Sequence, residues 1–295
     1  MAPLAAPFSF QELAEAGGEG LAPLEYFSTS DGAGIAFRRY VPERPRVVLV
    51  FLHGGGAHSG LGYQFLGNGL KERHAAAVYT PDMRGHGASA GPRGDAPSVE
   101  RLWQDCADFL KRIRQWHPGL PLVLGGHSAG AGLALNVSAW KRRPPVDGFA
   151  FLSPEFGFRS RTARAGRVEF AEVRLPAFVV NAMSGGLLWG HFPAVRFQLP
   201  SEILEAYPEL VTAYSVHCAN AVTPSAPQKQ WAALTGKIGV WIGAEDELLN
   251  ASAVARFAQT PPAREAQVQI VEGHKHLSIL VEAASLIGPW LDELR

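Results

Sequence analysis

Apolar residues in this chain come in short unbroken runs, separated by longer stretches with helical spacing. Val47–Leu52 is such a run, ending at His53. A run without alternation predicts a strand buried on both faces, as in a parallel sheet flanked by helices. Ahead of it, Leu24–Ser28 and Ile35–Tyr40 read as two strands joined by a turn at Asp31-Gly32. The same rhythm then repeats. A helix is expected near Tyr63–Arg73, a strand at Ala76–Thr80, a helix over Ser98–Trp116, a strand at Leu122–Gly125, a helix from Ala129 to Arg142 and a strand at Gly148–Leu152. Within 98–116, Ser98 is the expected cap, and Leu102, Cys106, Phe109, Leu110 and Ile113 recur at helical intervals. Strands alternating with helices predict an α/β fold with a mostly parallel, doubly wound sheet.

The pattern breaks between about Phe156 and Ala226. This stretch contains scattered arginines, the apolar segment Leu187-Leu188-Trp189-Gly190-His191-Phe192, a helix-like piece at Ser201–Ala206 and the proline-punctuated Thr223–Pro227. A structureless loop of that length would be exceptional, so residues 156–226 are expected to form an inserted lid or cap. The regular pattern resumes with Ile238–Gly243, a helix near Ala251–Ala258, a strand at Gln267–Val271 and a last helix from Leu277 to Leu294. The expected division is a leader over 1–22, with a short helix around Phe10–Ala16, a core of 23–155 and 227–295, and the insertion.

Composition narrows the functions. Lys+Arg and Asp+Glu both number 27, so the chain lacks the basic excess that phosphate neutralisation requires, and nucleic acid is not an expected partner. Cys106 and Cys218 fit no zinc or redox spacing and are expected as two free, buried thiols, as in a reducing compartment. The N-terminus has neither the basic start nor the apolar core of a secretory signal. No stretch approaches the ~20 apolar residues of a membrane span. A soluble cytoplasmic protein without stable membrane insertion is the expectation.

Candidate chemistry sits at predicted strand ends. Gly126-His127-Ser128-Ala129-Gly130 lies between a strand and a helix, the setting of a nucleophile elbow, and makes Ser128 the candidate nucleophile. His53-Gly54-Gly55-Gly56 follows another strand. Acyl transfer needs donors aimed at a developing oxyanion, and the Gly55 and Ala129 N–H groups are the candidate pair. His53 itself is expected to support the loop. For the acid, Glu245-Asp246-Glu247 ends a strand; Asp246 is preferred, with Glu245 and Glu155 as alternatives. For the base, His276 at a helix entrance is preferred over His274. The remaining histidines lack the paired spacing of a metal site, so neither metal nor cofactor is expected.

With these blocks in place, the chain resembles the α/β-hydrolase superfamily, and within it the monoacylglycerol lipase and lysophospholipase-like group, also described as serine aminopeptidase-like. The likeness is carried by Leu52–Gly60, by Pro81–Ser89 with Gly91-Pro92-Arg93-Gly94 behind it, and by Gly126–Gly130. The middle block, D-x-R-G-H-G-x-S followed by G-x-R-G, is the most specific to the group. Its residues read as a structural turn in which Arg84 and His86 brace the site. The resemblance implies an acid in a G-x-x-D turn, matched by Gly243 and Asp246, and a histidine three residues after a glycine, matched by Gly273 and His276. It covers roughly 24–155 and 236–295. The implied activity is hydrolysis of a carboxylic ester, with a small, lipophilic monoacylglycerol or lysophospholipid-like substrate. A short-chain ester, a thioester or an amide is the alternative substrate, and a non-catalytic ligand-binding role is the alternative of a different class. Epoxide hydrolases and haloalkane dehalogenases need a carboxylate where this chain has Ser128. Trp189 and Phe192, in the apolar segment running to Phe197, either line an acyl pocket or form the small core of the insertion.

Overall fold

Strands without polar positions must be covered on both faces, and that requirement organises this molecule. The computed structural model describes residues 20–166, 170–260 and 266–294; the helix expected at Phe10–Ala16 lies outside them. Every residue of β3 (Val47–Leu52), β4 (Ala76–Pro81), β5 (Leu122–His127) and β6 (Gly148–Leu152) is buried. With β1 (Leu24–Ser28), β2 (Gly34–Tyr40), β10 (Lys237–Gly243) and β11 (Gln267–Val271) they form an eight-stranded sheet of order β1-β2-β4-β3-β5-β6-β10-β11. Only the β1–β2 and β2–β4 pairings are antiparallel; the others are parallel. The sheet is flanked by α1 (Tyr63–His74), α2 (Val99–Trp116), α3 (Ala129–Ala139), α8 (Ala251–Ala258) and α9 (Ile279–Asp292), with α1 against α9 and α2 against α3. Ser98 caps α2 as expected, its hydroxyl accepting from Arg101 N–H at 3.0 Å. This is the α/β-hydrolase architecture, and Cys106 and Cys218 are both free and buried in it.

Strands β6 and β10 are adjacent and parallel, so residues 153–236 make one long excursion between two neighbours in the sheet. This excursion builds a second, antiparallel sheet of β7 (Ala171–Val173), β8 (Pro193–Phe197) and β9 (Ala213–Ser215). Helices α4 (Leu175–Met183), α5 (Ser201–Ala206), α6 (Val216–Val222) and α7 (Pro227–Ala232) accompany it. α6 leaves the small sheet and packs on α2 and α3. α4 exposes Leu175, Val179 and Met183, three positions on one helical stripe.

Two glycines let the excursion approach the core. Val211 N–H donates to Gly56 C=O and Ser215 N–H to Gly94 C=O, both at 2.9 Å. Gly56 has φ +71°, and a Cβ there would stand 2.7 Å from the Val211 carbonyl oxygen; one at Gly94, φ +67°, would collide with the Ala213 carbonyl. Neither contact tolerates a side chain. Among the described residues, no helix is long and apolar enough to cross a membrane.

Candidate active site

The C-terminal ends of parallel strands place their loops along one edge of the sheet, where ligands bind in open α/β folds. Here β3 delivers His53–Gly56, β5 delivers Ser128, β10 delivers Asp246, and the loop after β11 delivers His276. Ser128 is held at φ 52°, ψ −119°, outside the ordinary regions for a side-chain-bearing residue. Its neighbours impose this turn. A Cβ at Gly126 would collide with the Gly130 backbone, and one at Gly130 would collide with the carbonyls of Leu52 and His53.

The turn brings Ser128 Oγ to 2.9 Å from His276 Nε2, while His276 Nδ1 lies 2.8 Å from Asp246 Oδ2. Asp246 is buried, and its other oxygen accepts from Leu248 N–H at 2.9 Å and Leu249 N–H at 2.8 Å. Burial alone would raise the Asp246 pKa, but the His276 charge and these hydrogen bonds hold it below the usual carboxylate value. Burial likewise opposes charge on His276, yet Asp246, supported by Glu247 and Glu155, outweighs it and raises the imidazole above 6.5. The competing residues are not in the Ser128–His276–Asp246 chain. Glu245 is exposed. Glu155 accepts from Gly157 N–H at 2.8 Å. His274 contributes its carbonyl, which accepts from Glu245 N–H at 3.0 Å and aligns the acid and base loops. Glu247 accepts from His276 N–H at 2.9 Å.

The glycine loop is fixed by two parallel relays that were not visible in the sequence. Gly54 N–H donates to the Tyr63 hydroxyl at 2.7 Å. Tyr63 donates to His127 Nδ1 at 3.2 Å, and His127 Nε2–H donates to the His276 carbonyl at 2.9 Å. On the other side, Gly56 N–H donates to the Tyr214 hydroxyl of β9 at 2.8 Å. Tyr214 donates to His86 Nε2 at 2.8 Å, and His86 Nδ1–H donates to the Arg84 carbonyl at 3.0 Å. Burial holds His127 and His86 neutral, with pKa values lowered to about 3, so each imidazole keeps one donor and one acceptor. His53 supports the loop in the same neutral form, donating to Gly54 C=O and accepting from Met83 N–H, both at 2.9 Å. Between the two occupied amides, Gly55 N–H has no intramolecular acceptor among the described residues, and neither has Ala129 N–H at the start of α3. A Cβ at Gly55 would lie 3.7 Å from that of Ala129, so the two residues adjoin.

The D-x-R-G-H-G-x-S block braces this assembly. Asp82 accepts from Ser59 N–H at 2.6 Å and Ala88 N–H at 2.9 Å. Arg84 bonds Asp105 and Asp31 at 2.7–3.0 Å.

Ser128 and His276 open onto a pocket walled by Leu61, Phe170, Leu199, Leu210, Leu248 and Leu280. Trp189 and Phe192 are not among its walls. Phe192 turns into the small core of Ala177, Ala194 and Val216, and half-exposed Trp189 stacks on it at 5.2 Å. Of that segment, Phe197 approaches the glycine loop, at Gly55 and Gly56.

The chain matches the family described as serine aminopeptidase, S33, over residues 43–283. It is 25% identical over 258 residues to human (Homo sapiens) monoglyceride lipase, covering 86% of this chain and 83% of that protein. It is 34% identical over 137 residues to the uncharacterized protein YnbC of Escherichia coli, a match spanning 44% of this chain and 23% of YnbC. The crystal structure of a soluble variant of Saccharomyces cerevisiae monoglyceride lipase, in complex with a substrate analog, superposes with a TM-score of 0.69 at 17% identity, covering 93% of this chain and 96% of that one. The chain therefore belongs to the serine aminopeptidase S33 family and has the α/β-hydrolase fold.

Proposed function

We propose that the protein is a serine hydrolase that cleaves a carboxylic ester through an acyl-Ser128 intermediate. The proposed substrate is a lipophilic monoacyl ester of the monoacylglycerol or lysophospholipid kind. The reading rests on one observation: the Ser128–His276–Asp246 hydrogen-bond chain stands beside two unoccupied backbone donors at an apolar pocket. In the proposed mechanism, Ser128 Oγ attacks the ester carbonyl carbon while its proton passes to His276 Nε2. The carbonyl oxygen takes the negative charge and accepts from Gly55 and Ala129 N–H, each worth about 3–4 kcal/mol in the transition state. His276 returns the proton to the departing alkoxide and the alcohol leaves; it then takes a proton from a water that attacks the acyl carbon and gives it to Ser128 Oγ as the acid departs. Asp246 holds Nδ1–H throughout and stabilises the transient imidazolium.

The leucine-lined walls favour an alkyl chain, which gains ~0.8 kcal/mol per CH₂ removed from water. The names of the monoglyceride lipases in the group agree with that preference. Residues 156–226 act as the cap in this reading. A fluorophosphonate probe applied to wild type and Ser128→Ala, together with an ester panel graded by chain length, tests it. Labelling absent from the variant, with turnover peaking at medium or long monoacyl esters, is the expected result. A short-chain optimum would reassign the protein as a general esterase, and no Ser128-dependent labelling would overturn the catalytic reading.

A further inference from the structure

Outside the pocket, three potential ligands from distant parts of the chain converge where the excursion meets the core. Asp95 ends the G-P-R-G-D turn of the core, His191 precedes β8, and His217 lies in the first turn of α6. One donor atom from each lies within 4.8 Å of the others. Asp95 Oδ2 and His191 Nδ1 are 2.7 Å apart, and the two imidazole rings meet edge to face at 4.9 Å. None of the three lines the Ser128 pocket.

We propose that Asp95, His191 and His217 form a zinc site that clips the insertion to the core. Four features support it. First, His217 Nδ1–H donates to the Ala96 carbonyl at 3.2 Å, which leaves the Nε2 lone pair for a metal. That is the outer-sphere bond that orients metal-binding histidines. Second, Asp95 Oδ1 is buried without a hydrogen-bond partner, while Oδ2 meets His191. A buried carboxylate oxygen left unsatisfied is costly, and a cation would relieve it. Third, the segments are already tied together by backbone bonds: Ser215 N–H to Gly94 C=O, Val216 N–H to Phe192 C=O and His217 N–H to Gly190 C=O, at 2.8–3.0 Å. Fourth, only glycine at 190 admits the His217 ring in its place, since any Cβ there would collide with it.

Two imidazoles and one carboxylate are a borderline nitrogen and oxygen set. It suits zinc with a water as fourth ligand, and not calcium or magnesium, which take oxygen shells. An ion between Asp95 and His191 replaces the proton they share. That proton leaves His191 Nδ1 for Nε2 or for solvent, to which the side chain is 64% exposed. The ion is structural in this assignment and independent of the hydrolytic chemistry. The sequence did not display the site because the ligands lie at 95, 191 and 217, far from the close pairing by which zinc motifs are recognised.

The test is titration of the chelator-stripped full chain with zinc chloride by calorimetry, with thermal unfolding measured alongside and calcium and magnesium as comparison ions. One equivalent of zinc, a raised unfolding midpoint and no response to the comparison ions are expected. Asp95→Asn and His217→Ala should each weaken binding at least tenfold. His191→Ala, at an exposed position where folding is not at risk, should do the same. Absence of stoichiometric zinc binding would overturn the proposal, as would binding undiminished in all three variants, which would put the ion elsewhere.

Discussion

His276 works as a base only when neutral, and its surroundings favour the charged form. Burial resists protonation, but the Asp246 carboxylate in contact with Nδ1 more than offsets it, so the pKa lies above 6.5. In the proposed mechanism, kcat/KM therefore falls as pH drops through that raised value, and the acid limb of the profile should lie above that of an ordinary histidine. Asp246→Asn removes the charge that raises it. The limb should move to lower pH and kcat should drop by about 10⁴, as wrong-tautomer variants of such triads do. A pH–rate profile of both proteins checks this, and an unmoved limb would remove Asp246 from the role. Ser128, Asp246 and His276 were legible because each sits in a short local pattern at a strand end. Tyr63, Tyr214 and the wall residues Phe170, Leu199 and Leu210 were not, because their places are set by contacts between separate elements, such as Tyr63 with His127 and Tyr214 with Gly56, and leave no local pattern. His127 was in plain view inside G-H-S-A-G, but nothing in the motif says that its ring bonds Tyr63 and the His276 carbonyl.

β9 contributes a side chain to the glycine loop although it belongs to the other sheet. The Tyr214 hydroxyl is the acceptor for Gly56 N–H and the donor to His86. Tyr214→Phe keeps the ring and its packing against Phe197 but removes both bonds. Without its anchor, the Gly55 donor beside Gly56 is less well aimed at an oxyanion. A hydrogen bond of this kind is worth about 1 kcal/mol, so kcat should fall by roughly five- to tenfold with KM little changed. Steady-state kinetics decide this; a change confined to KM would indicate a role in binding alone. The core strands were readable because double burial forces unbroken apolar runs. β7, β8 and β9 were not, since they are only three to five residues long and partly exposed, too short for an alternation such as Ala-Glu-Val or Val-Arg-Phe to stand out. α4, with the sequence LPAFVVNAM, carries almost no polar face, so its period was hidden.

Across the whole molecule, His53, His86 and His127 are buried and neutral in the folded state, with pKa values of about 3 set first by burial. Unfolding returns them to about 6.5, so below that pH the unfolded chain binds protons that the native state refuses. Their contribution to stability is complete above about pH 6.5 and is lost as pH falls towards 3, at up to about 1.4 kcal/mol per pH unit for each histidine. His276 is raised and acts in the opposite sense, but His58 and His117 are also lowered by burial and add to the three. Urea unfolding at pH 7, 6 and 5 should therefore show steadily falling stability, and a flat or rising series would contradict this assignment of charge. The inner edge of the excursion has another consequence. Val211 and Ser215 hold the loops of Gly56 and Gly94 by their backbones, while Tyr214 anchors the glycine loop by its side chain. A chimaera that exchanges the outer stretch, from β7 through α5, keeps all three ties and can diversify without dismantling the machinery beneath it. A chimaera whose splice runs through 211–217 replaces part of that machinery, so recombination between related chains has a fixed seam at this edge.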